Sequence, residues 1–384
     1  MILSKKRKIL FVTGSRGEWG YIRPIIKEIK KRGNLNYQIC VTNMHLLPGF
    51  GTSFNEIQED KFKVSKRILM ALDGYTNESM AKSLGVFLMS FVDLLQNDKP
   101  DLICLAGDRG EQLMAAIAGS HLNIPVAHIQ AGELSGNIDG ISRHAIARFT
   151  HIHFSANRDA TLRLSKSGEQ KFRIYETGAP QLDDLRKTKV ISKKFLMKKF
   201  HIAKSEKIIL LIQHPVTEQF AKATSQIRET LKALQILKMK TVCIYPNNDA
   251  GNSSIRDEID KITEPWFSVA KNVPRGISLG LLKYSSVIVG NSSCGLIEAP
   301  FFGLPCVNIG RRQQGRFQGK NVINTPHDTK KILQSIRRAV SLKFAKKVQF
   351  SKSPYGDGRS AARIVKILSS IKFDNKLLHK ELAY

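Results

Sequence analysis

Short apolar runs alternate with longer amphipathic segments through the first half of the chain. The runs predict strands at Lys8–Val12, Gln38–Val41, Leu102–Ala106, Pro125–Ile129 and His153–Ser155. The segments between them predict helices at Tyr21–Lys31, Glu111–Gly119 and Ser142–Phe149. This order is typical of a parallel sheet with helices on both faces. Functional side chains are then expected directly after the carboxyl ends of the strands.

A polar stretch with a proline, Ala179–Lys194, interrupts this alternation. Beyond it the pattern predicts strands at Ile208–Gln213, Thr241–Tyr245, Ser286–Val289 and Pro305–Ile309, and helices at Ser225–Leu237, Leu296–Phe302 and Arg359–Ile371. Because 384 residues exceed the usual size of a single core, we predict an α/β protein with two doubly wound, Rossmann-like domains facing each other across a cleft. The predicted divisions are residues 1–185, residues 186–358, and a helical segment, 359–384, that packs back on the first domain.

The chain is strongly basic, with a formal net charge of +29. Its basic residues are spread along the whole sequence without a nucleic-acid-binding motif, so we expect an anionic small-molecule substrate rather than nucleic acid or a membrane surface. The apolar runs are strand-sized, far shorter than the roughly 20 residues of a membrane helix. The five cysteines include no CxxC pair, which predicts free thiols in a reducing compartment, the cytoplasm.

Two strand ends of the first domain carry candidate binding groups. The first strand leads into a glycine-rich turn, Thr13–Gly20, that contains Arg16. Such a turn presents backbone N–H groups to an anion, and an arginine can pair with phosphate. Asp108 and Arg109 follow a later strand. Their position suits a functional role, although Asp108 could equally be the N-cap of a helix.

The densest polar segment follows the strand predicted at Pro125–Ile129. Its chemically capable side chains are Gln130, Glu133, Asp139 and Arg143, with His128 and His144 among them. Two carboxylates in so short a segment suit general acid–base chemistry, in which one group holds a proton and the other does not. The histidines have neither neighbouring cysteines nor HExxH spacing, so we predict no metal site and no cofactor.

The second domain carries anion-binding candidates at three strand ends. They are His214 after the first strand, Ser292, Ser293 and Glu298 between a strand and a helix, and Arg312 in an arginine-rich segment. Hydroxyl and N–H groups at the start of a helix suit a diphosphate, and a carboxylate one turn later suits ribose hydroxyls. The two serines could instead simply cap the helix.

Taken together, these motifs resemble those of the hydrolysing UDP-N-acetylglucosamine 2-epimerases, which act in sialic-acid-type pathways. The likeness covers nearly the whole chain and rests on GSRGEWGYIRP, TNMHL, GDRGE, HIQAGELSGNID with RHAI, QHPVT, YPNNDAG, GNSSCGLIE, IGRRQQGR and YGDG. The resemblance implies a GT-B-like fold, a UDP-linked amino sugar in the cleft and a homo-oligomer, a dimer or tetramer. RHAI, YPNNDAG and YGDG favour the hydrolysing branch over its non-hydrolysing relatives.

The resemblance also implies roles for individual residues. A diphosphate site would comprise Arg16, His214, Ser292, Ser293 and Arg312, with Glu298 at the ribose. The sugar site would comprise His45, Arg109 and Arg143, with Asp108 and Asp139 in acid–base chemistry and His214 close to the reaction.

One position departs from the family pattern. The family usually has an acid in HIEGGE, where this chain has Gln130 and Ala131. A glutamine cannot transfer the proton, so the resemblance leaves the role of base to Glu133 or Asp139. The substitution also raises two other interpretations, a different sugar substrate or weak activity.

The implied reaction converts UDP-N-acetylglucosamine and water into N-acetylmannosamine and UDP. UDP leaves C1, a carboxylate removes the proton from C2, and water adds to the resulting glycal. One alternative is the same reaction on a nucleotide-linked 2,4-diacetamido-2,4,6-trideoxyhexose, which leads to legionaminic acid. A second alternative is a GT-B glycosyltransferase, although such an enzyme needs only one base and an acceptor site. A third is a non-catalytic nucleotide-sugar binder, which only Gln130 supports.

Overall fold

The computed structural model describes residues 6–48, 53–73, 76–136, 138–187, 190–271, 273–349 and 353–383. Its strands are β1 Lys8–Thr13, β2 Asn36–Thr42, β3 Lys66–Ile68, β4 Leu102–Ala106, β5 Val126–Ile129, β6 Ile152–Ser155, β7 Ile174–Glu176, β8 Ile209–Ile212, β9 Thr241–Ile244, β10 Phe267–Ala270, β11 Val287–Gly290, β12 Cys306–Ile309 and β13 Val322–Thr325. They form two sheets, ordered β3-β2-β1-β4-β5-β6-β7 and β10-β9-β8-β11-β12-β13. The paired strands in both sheets are parallel, as predicted.

Helices cover the faces of both sheets. They are α1 Arg16–Arg32, α2 Phe54–Glu59, α3 Asn77–Asn97, α4 Gly110–His121, α5 Ile138–Phe149, α6 Arg158–Lys166, α7 Gln181–Lys187, α8 Lys193–Lys199, α9 Ala223–Leu237, α10 Asn252–Asp260, α11 Arg275–Tyr284, α12 Cys294–Ile297, α13 Thr329–Ala339, α14 Leu342–Gln349, α15 Ser360–Ser370 and α16 Asn375–Leu378. Short 3-10 turns cover Asn43–Leu46, Lys171–Arg173, Thr217–Lys222 and Ala299–Phe302.

The predicted strands are found within about two residues of their observed bounds. Every residue of β4, β5 and β8 is buried, because a parallel sheet covered on both faces requires continuous apolar runs. Helix α1 begins earlier than predicted, since Ser15 and Glu18 form a capping box ahead of the apolar stripe. The helix predicted at Leu296–Phe302 is instead α12 followed by a 3-10 turn, because Pro300 lacks the N–H that a continuous α-helix needs.

The C-terminal segment packs against the helix layer of the first sheet. Ile364 and Leu368 of α15 share a buried cluster with Ile22 and Ile26 of α1. Farther along, the buried guanidinium of Arg173 donates to the carbonyl oxygens at the end of the chain, those of Lys376, Leu377 and His379. These hydrogen bonds fix the last described turn to the same half of the molecule.

Several contacts beside the cleft join the half of the molecule that contains the first sheet, β1–β7, to the half that contains the second sheet, β8–β13. Asn248 donates to Asn43 at 2.7 Å, and the Gly136 N–H donates to the Arg312 carbonyl at 2.8 Å. These bonds hold the segment after β9 and the segment after β12 against the first half. Within the described ranges, no helix is both long and apolar enough to cross a membrane.

Candidate functional site

A cleft lies between the carboxyl ends of the two sheets and encloses about 1470 Å³, its open mouth included. The order of each sheet reverses beside its first strand, between β1 and β4 and between β8 and β11. Ligands of α/β proteins bind at such switch points. The predicted site residues that line the cleft are Arg16, Asp108, Arg109, Asp139, His214, Ser292, Ser293, Glu298 and Arg312.

Asp108 lines the cleft as an ion-paired carboxylate. It accepts a hydrogen bond from Arg143, and Ser135 Oγ lies 3.4 Å from its Oδ2. Burial alone would raise the pKa of Asp108, but Arg143 and Arg316 outweigh it and lower that pKa. Helix α4 has Arg109 as its N-cap, with no side-chain cap among the described residues. The capping role considered for Asp108 is therefore not observed.

The pKa of Asp139 is shifted in the opposite direction to that of Asp108. Asp139 lies in the first turn of α5, with Oδ2 3.8 Å from Arg312 Nη2. Burial is the main reason that the pKa of Asp139 rises to about 7, and the charges of Asp108 and Asp249 raise it further. The cleft thus holds one carboxylate that stays ionised and another that exchanges its proton near neutral pH. Acid–base pairs in enzymes are separated in this way.

Arg109 joins the two halves of the molecule at the same place. Its Nη1 lies 3.1 Å from Asp249 Oδ1, its Nη2 3.0 Å from Asn248 Oδ1, and its Nε 3.2 Å from Glu111 Oε1. Burial would lower the pKa of Arg109, but Glu111 and Asp249 raise it well above the usual value. The guanidinium is therefore a fixed charge in the wall of the cleft.

Two further arginines, Arg16 and Arg312, add positive charge to the cleft lining. Arg16 donates to the Val273 carbonyl at 3.3 Å, and Arg312 donates to the Asn291 carbonyl at 3.3 Å. His214 lies in the same lining and accepts the Asn247 N–H at Nδ1, at 3.0 Å. Burial, aided by Arg312, lowers the pKa of His214 to about 3. The ring is therefore neutral, and the arginines supply the charge that an anion would meet.

The remaining cleft residues predicted in the second half are a carboxylate and two hydroxyls. Glu298 accepts from Arg275 at 2.6 Å, so its charge is balanced within the cleft. Helix α12 has Ser293 as its N-cap, with no side-chain cap among the described residues. Ser292 Oγ lies 3.2 Å from Cys294 Sγ. Ser293 therefore occupies the N-cap position without making the side-chain hydrogen bond of a capping serine.

Glu133 and Arg143 lie behind the lining that the structure describes. Glu133 is buried and accepts from Arg316 at 2.9 Å and from Arg143 at 3.4 Å. Asn157 Nδ2 lies 3.4 Å from its other oxygen. Arg143 bridges Glu133 and Asp108. This network orients Asp108 and leaves Glu133 as an ion-pair residue.

Gln130 and His45 also lie outside the described cleft lining. Gln130 is buried at φ 62 and donates to Gln181 Oε1 at 3.4 Å, and Gln181 itself lines the cleft. The His45 ring lies 2.9 Å from Thr13 Oγ1 and 2.8 Å from Ser53 Oγ. Burial lowers the pKa of His45 to about 3. Gln130 therefore touches the cleft through another side chain, and His45 is a neutral residue bonded to its own half.

The glycine-rich turn differs from the expected anion site. The N–H groups of Gly14 and Ser15 donate to the carboxylate of Glu18, with the Ser15 bond at 3.0 Å. These donors are therefore engaged by a residue of α1 itself. Arg16 remains as the cationic side chain that this turn contributes to the lining.

Several charged residues of the cleft region were not predicted from the sequence, among them Asp249, Arg275 and Glu18. Asp249 follows β9, so its position after a strand was a usable signal. Arg275 begins α11, after a strand that the pattern did not predict. Glu18 had a signal in the capping-box spacing, three residues after Ser15.

The structure offers no arrangement for a metal ion among its described residues, since no group of three or more His, Cys, Asp or Glu side chains converges. All five cysteines are free, and four of them are buried.

The chain belongs to the UDP-N-acetylglucosamine 2-epimerase family, whose sequence model matches residues 27–369. It is 36% identical over 379 residues to a UDP-N,N'-diacetylbacillosamine 2-epimerase (hydrolyzing) of Legionella pneumophila, covering 98% of this chain and 100% of that protein. It is 32% identical over 336 residues to a UDP-N-acetylglucosamine 2-epimerase of Neisseria meningitidis, covering 88% of each. The chain is therefore an enzyme of this family.

Solved structures show the same fold. A Neisseria meningitidis UDP-GlcNAc 2-epimerase bound to UDP-GlcNAc superposes with a TM-score of 0.81 at 21% identity, covering 94% of this chain and 99% of that one. A Methanocaldococcus jannaschii UDP-GlcNAc 2-epimerase in complex with UDP-GlcNAc and UDP gives a TM-score of 0.79 at 19% identity, with the same coverage. The predicted GT-B-like arrangement of two α/β domains is thereby confirmed.

Proposed function

We propose that the protein is a hydrolysing 2-epimerase of UDP-linked 2-acetamido sugars, with release of UDP and inversion at C2. The observation that carries the proposal is the pair of cleft carboxylates with separated proton affinities, next to two arginines. Asp108 is kept ionised by arginines, and Asp139 has a pKa of about 7. A base that works near neutral pH needs a proton affinity of this kind.

The proposed chemistry begins at the sugar C1. The C1–O bond breaks and its electron pair leaves with UDP, whose negative charge Arg16 and Arg312 stabilise. Removing one such group typically costs about 3 kcal/mol of barrier. Asp139 takes the proton from C2, and that electron pair forms the C1–C2 double bond of the glycal. Ser292, Ser293 and neutral His214 are assigned to the diphosphate.

Hydration of the glycal completes the reaction. Inversion requires a proton to reach C2 from the face opposite the one it left. We assign both parts of the addition to one water molecule: ionised Asp108 accepts its proton and passes it to C2, and the hydroxide bonds to C1. Asp108 is then ionised again, and the proton that Asp139 took is lost to solvent. Arg109 positions the sugar, Arg143 orients Asp108, and Glu298 takes the ribose hydroxyls. Gln130 is assigned a positioning role through Gln181.

Two sugars are candidates for the substrate. UDP-N-acetylglucosamine is supported by the family and by the relative from Neisseria meningitidis. UDP-N,N'-diacetylbacillosamine, a 2,4-diacetamido-2,4,6-trideoxyhexose, is supported by the longer match to the relative from Legionella pneumophila. With either sugar we propose a cytoplasmic homo-oligomer in a sialic- or legionaminic-acid-type pathway.

Incubation with each nucleotide sugar tests the proposal. We expect free UDP and a free 2-epimerised sugar from at least one of them, separated by ion-exchange chromatography. The Asp139→Asn variant serves as the control and should lower turnover by about 100-fold or more. A 2-epimerised sugar that remains attached to UDP would refute the hydrolysing assignment.

A further inference from the structure

The segment after β9 carries a buried carboxylate, Asp249, to which the proposed reaction assigns no role. Only 4% of its side chain is exposed. The backbone turns directly after it, where Gly251 is the N-cap of α10 at φ 89, a conformation that glycine adopts readily. The side-chain amide of Asn252 donates to the Asp249 carbonyl at 3.0 Å. This turn therefore fixes the position of the Asp249 carboxylate.

Both oxygens of this carboxylate have partners. Oδ1 lies 3.1 Å from Arg109 Nη1, and Oδ2 accepts the side-chain amide of Asn247 at 2.5 Å. The neighbouring Asn248 accepts from Arg109 Nη2 at 3.0 Å. Glu111, in the first half of the molecule, accepts from Nε at 3.2 Å. The direction of the Arg109 guanidinium is therefore set from both halves, and the second half supplies a full negative charge.

The same carboxylate acts on the proposed base. Arg109, Asp139 and Asp249 line one pocket beside the cleft. Burial is the largest cause of the raised pKa of Asp139, and the charges that act beside it are Asp108, Asp249, Arg312 and Arg109. The two carboxylates raise this pKa further, and the two arginines lower it. Asp249 is therefore the group from the second half that favours the protonated form of Asp139.

Asp249 itself keeps its charge. Burial would raise the pKa of Asp249, but Arg109 and Arg312 outweigh it and lower that pKa. His214 also faces Asp249, and its own pKa is lowered to about 3 by burial, so the ring is neutral. Near neutral pH, Asp139 therefore meets a constant negative charge at Asp249.

We propose that Asp249 is a positioning residue of the reaction, which holds Arg109 beside the sugar from the opposite half of the molecule and offsets the positive charge that Arg109 presents to Asp139. This inference rests on the proposed function, in which Asp139 takes the proton from C2. Without Asp249, the charge of Arg109 would favour ionised Asp139 and make it a weaker base. Because Asp249 belongs to the second half, both effects exist only while the two halves are in contact.

The protonation of Asp139 tests this role independently of turnover. Protein labelled with ¹³C at its aspartate carboxyls gives a titration curve by NMR, and the Asp139 signal is the one that Asp139→Asn removes. Asp249→Asn removes a negative charge and leaves the charge of Arg109 less balanced, and both changes favour ionised Asp139. We expect the Asp139 midpoint to fall by about one pH unit or more. Asp249→Ser is a second neutral variant with a smaller side chain.

The pH profile of UDP release reports the same change during turnover. Asp139 must be ionised to take the proton from C2, so kcat rises as the pH rises through the pKa of Asp139. In Asp249→Asn this rise should move to lower pH, and kcat above the midpoint should fall about tenfold or more, because Arg109 is less well held. Asp249→Glu keeps the charge, so its midpoint should stay at the wild-type value. The affinity for UDP, measured by calorimetry, should persist in each variant.

Asp257→Asn is the matched control. Asp257 lies on α10, is exposed and is outside the described lining of both spaces, so neither the midpoint nor kcat should change. An Asp139 midpoint that stays at the wild-type value in both neutral variants would overturn the inference even if kcat falls, since loss of a merely structural ion pair would also lower kcat. A full shift of the midpoint in Asp249→Glu would overturn it as well.

The wild-type assay for UDP release separates this inference from the proposed function. Absence of UDP release, together with a lowered Asp139 midpoint in Asp249→Asn, would refute the proposed function and leave the electrostatic role of Asp249 intact. UDP release together with an unchanged midpoint in the neutral variants would refute the role of Asp249 alone.

Discussion

Replacing Asp139 by asparagine should stabilise the folded protein while removing activity. The folded state raises the pKa of this carboxyl from 3.8 to about 7, so the fold holds the proton more tightly than the unfolded chain does. The cost of ionising Asp139 within the fold is therefore absent at pH values below 3.8, grows as the pH rises toward 7 and is complete above it. Asparagine has nearly the same shape and cannot ionise.

The size of the stabilisation by Asp139→Asn follows from the shift in the pKa of Asp139. Each unit of pKa difference corresponds to about 1.4 kcal/mol. At about pH 5.5 the unfolded carboxyl is ionised and the folded one is protonated, so only part of the cost is present. Between there and about pH 8 the cost of the wild-type carboxyl increases by roughly 2 kcal/mol. The stabilising effect of Asp139→Asn should grow by that amount over the same interval.

Urea unfolding of both proteins at the two pH values measures this difference. Asp108→Asn is the control with the opposite sign, because Arg143 and Arg316 lower the pKa of Asp108. Its ionised form stabilises the fold, and that contribution is lost only as the pH falls through the folded-state pKa. Asp108→Asn should therefore destabilise the protein at both pH values. A stabilising effect of Asp139→Asn that is equal at both, or larger at the lower one, would refute the electrostatic account of Asp139.

Three further substitutions test other parts of the site. Glu133→Gln should lower the free energy of unfolding by about 3 kcal/mol in urea titrations, since buried arginines lose their partner; unchanged stability would contradict this. Glu298→Gln should weaken UDP binding about tenfold in calorimetry, whereas Glu258→Gln, which alters an ion pair with Arg228 away from the cleft lining, should not. Gln130→Glu places a carboxylate in a buried position and should reduce both stability and UDP release; a large gain in turnover would identify a missing catalytic acid.

The central strands could be predicted from sequence because their physical cause is local. Buried runs such as β4 and β8 are continuously apolar, and the glycine-rich or polar residues after them mark their ends. The edge strands β3 and β7 span only three residues each and carry little apolar pattern. Helix α3 was also missed, although Thr76 caps it, because no predicted strand preceded it.

The positions of the site residues along the chain could be predicted from the sequence. The ion pairs that these residues form could not. Asp108 and Asp139 could be placed at the cleft because they follow strands or begin a helix. Their opposite pKa shifts depend on Arg143, Arg316 and Asp249. These residues come from α5 and from the segments after β12 and β9, and no spacing in the sequence encodes their contacts. Glu133 also follows a strand, and its ion pairs with Arg143 and Arg316 come from contacts that the sequence does not show.

The fate of the proton at C2 tests the central claim most directly. Incubation of each nucleotide sugar in D₂O, followed by proton NMR, reports the configuration at C2, the deuterium there and the bond to UDP together. The account predicts free UDP and a free sugar that has the inverted C2 configuration and carries deuterium at that carbon. A free sugar that keeps its original C2 configuration and its original proton would contradict the account, because UDP would then have left by simple hydrolysis.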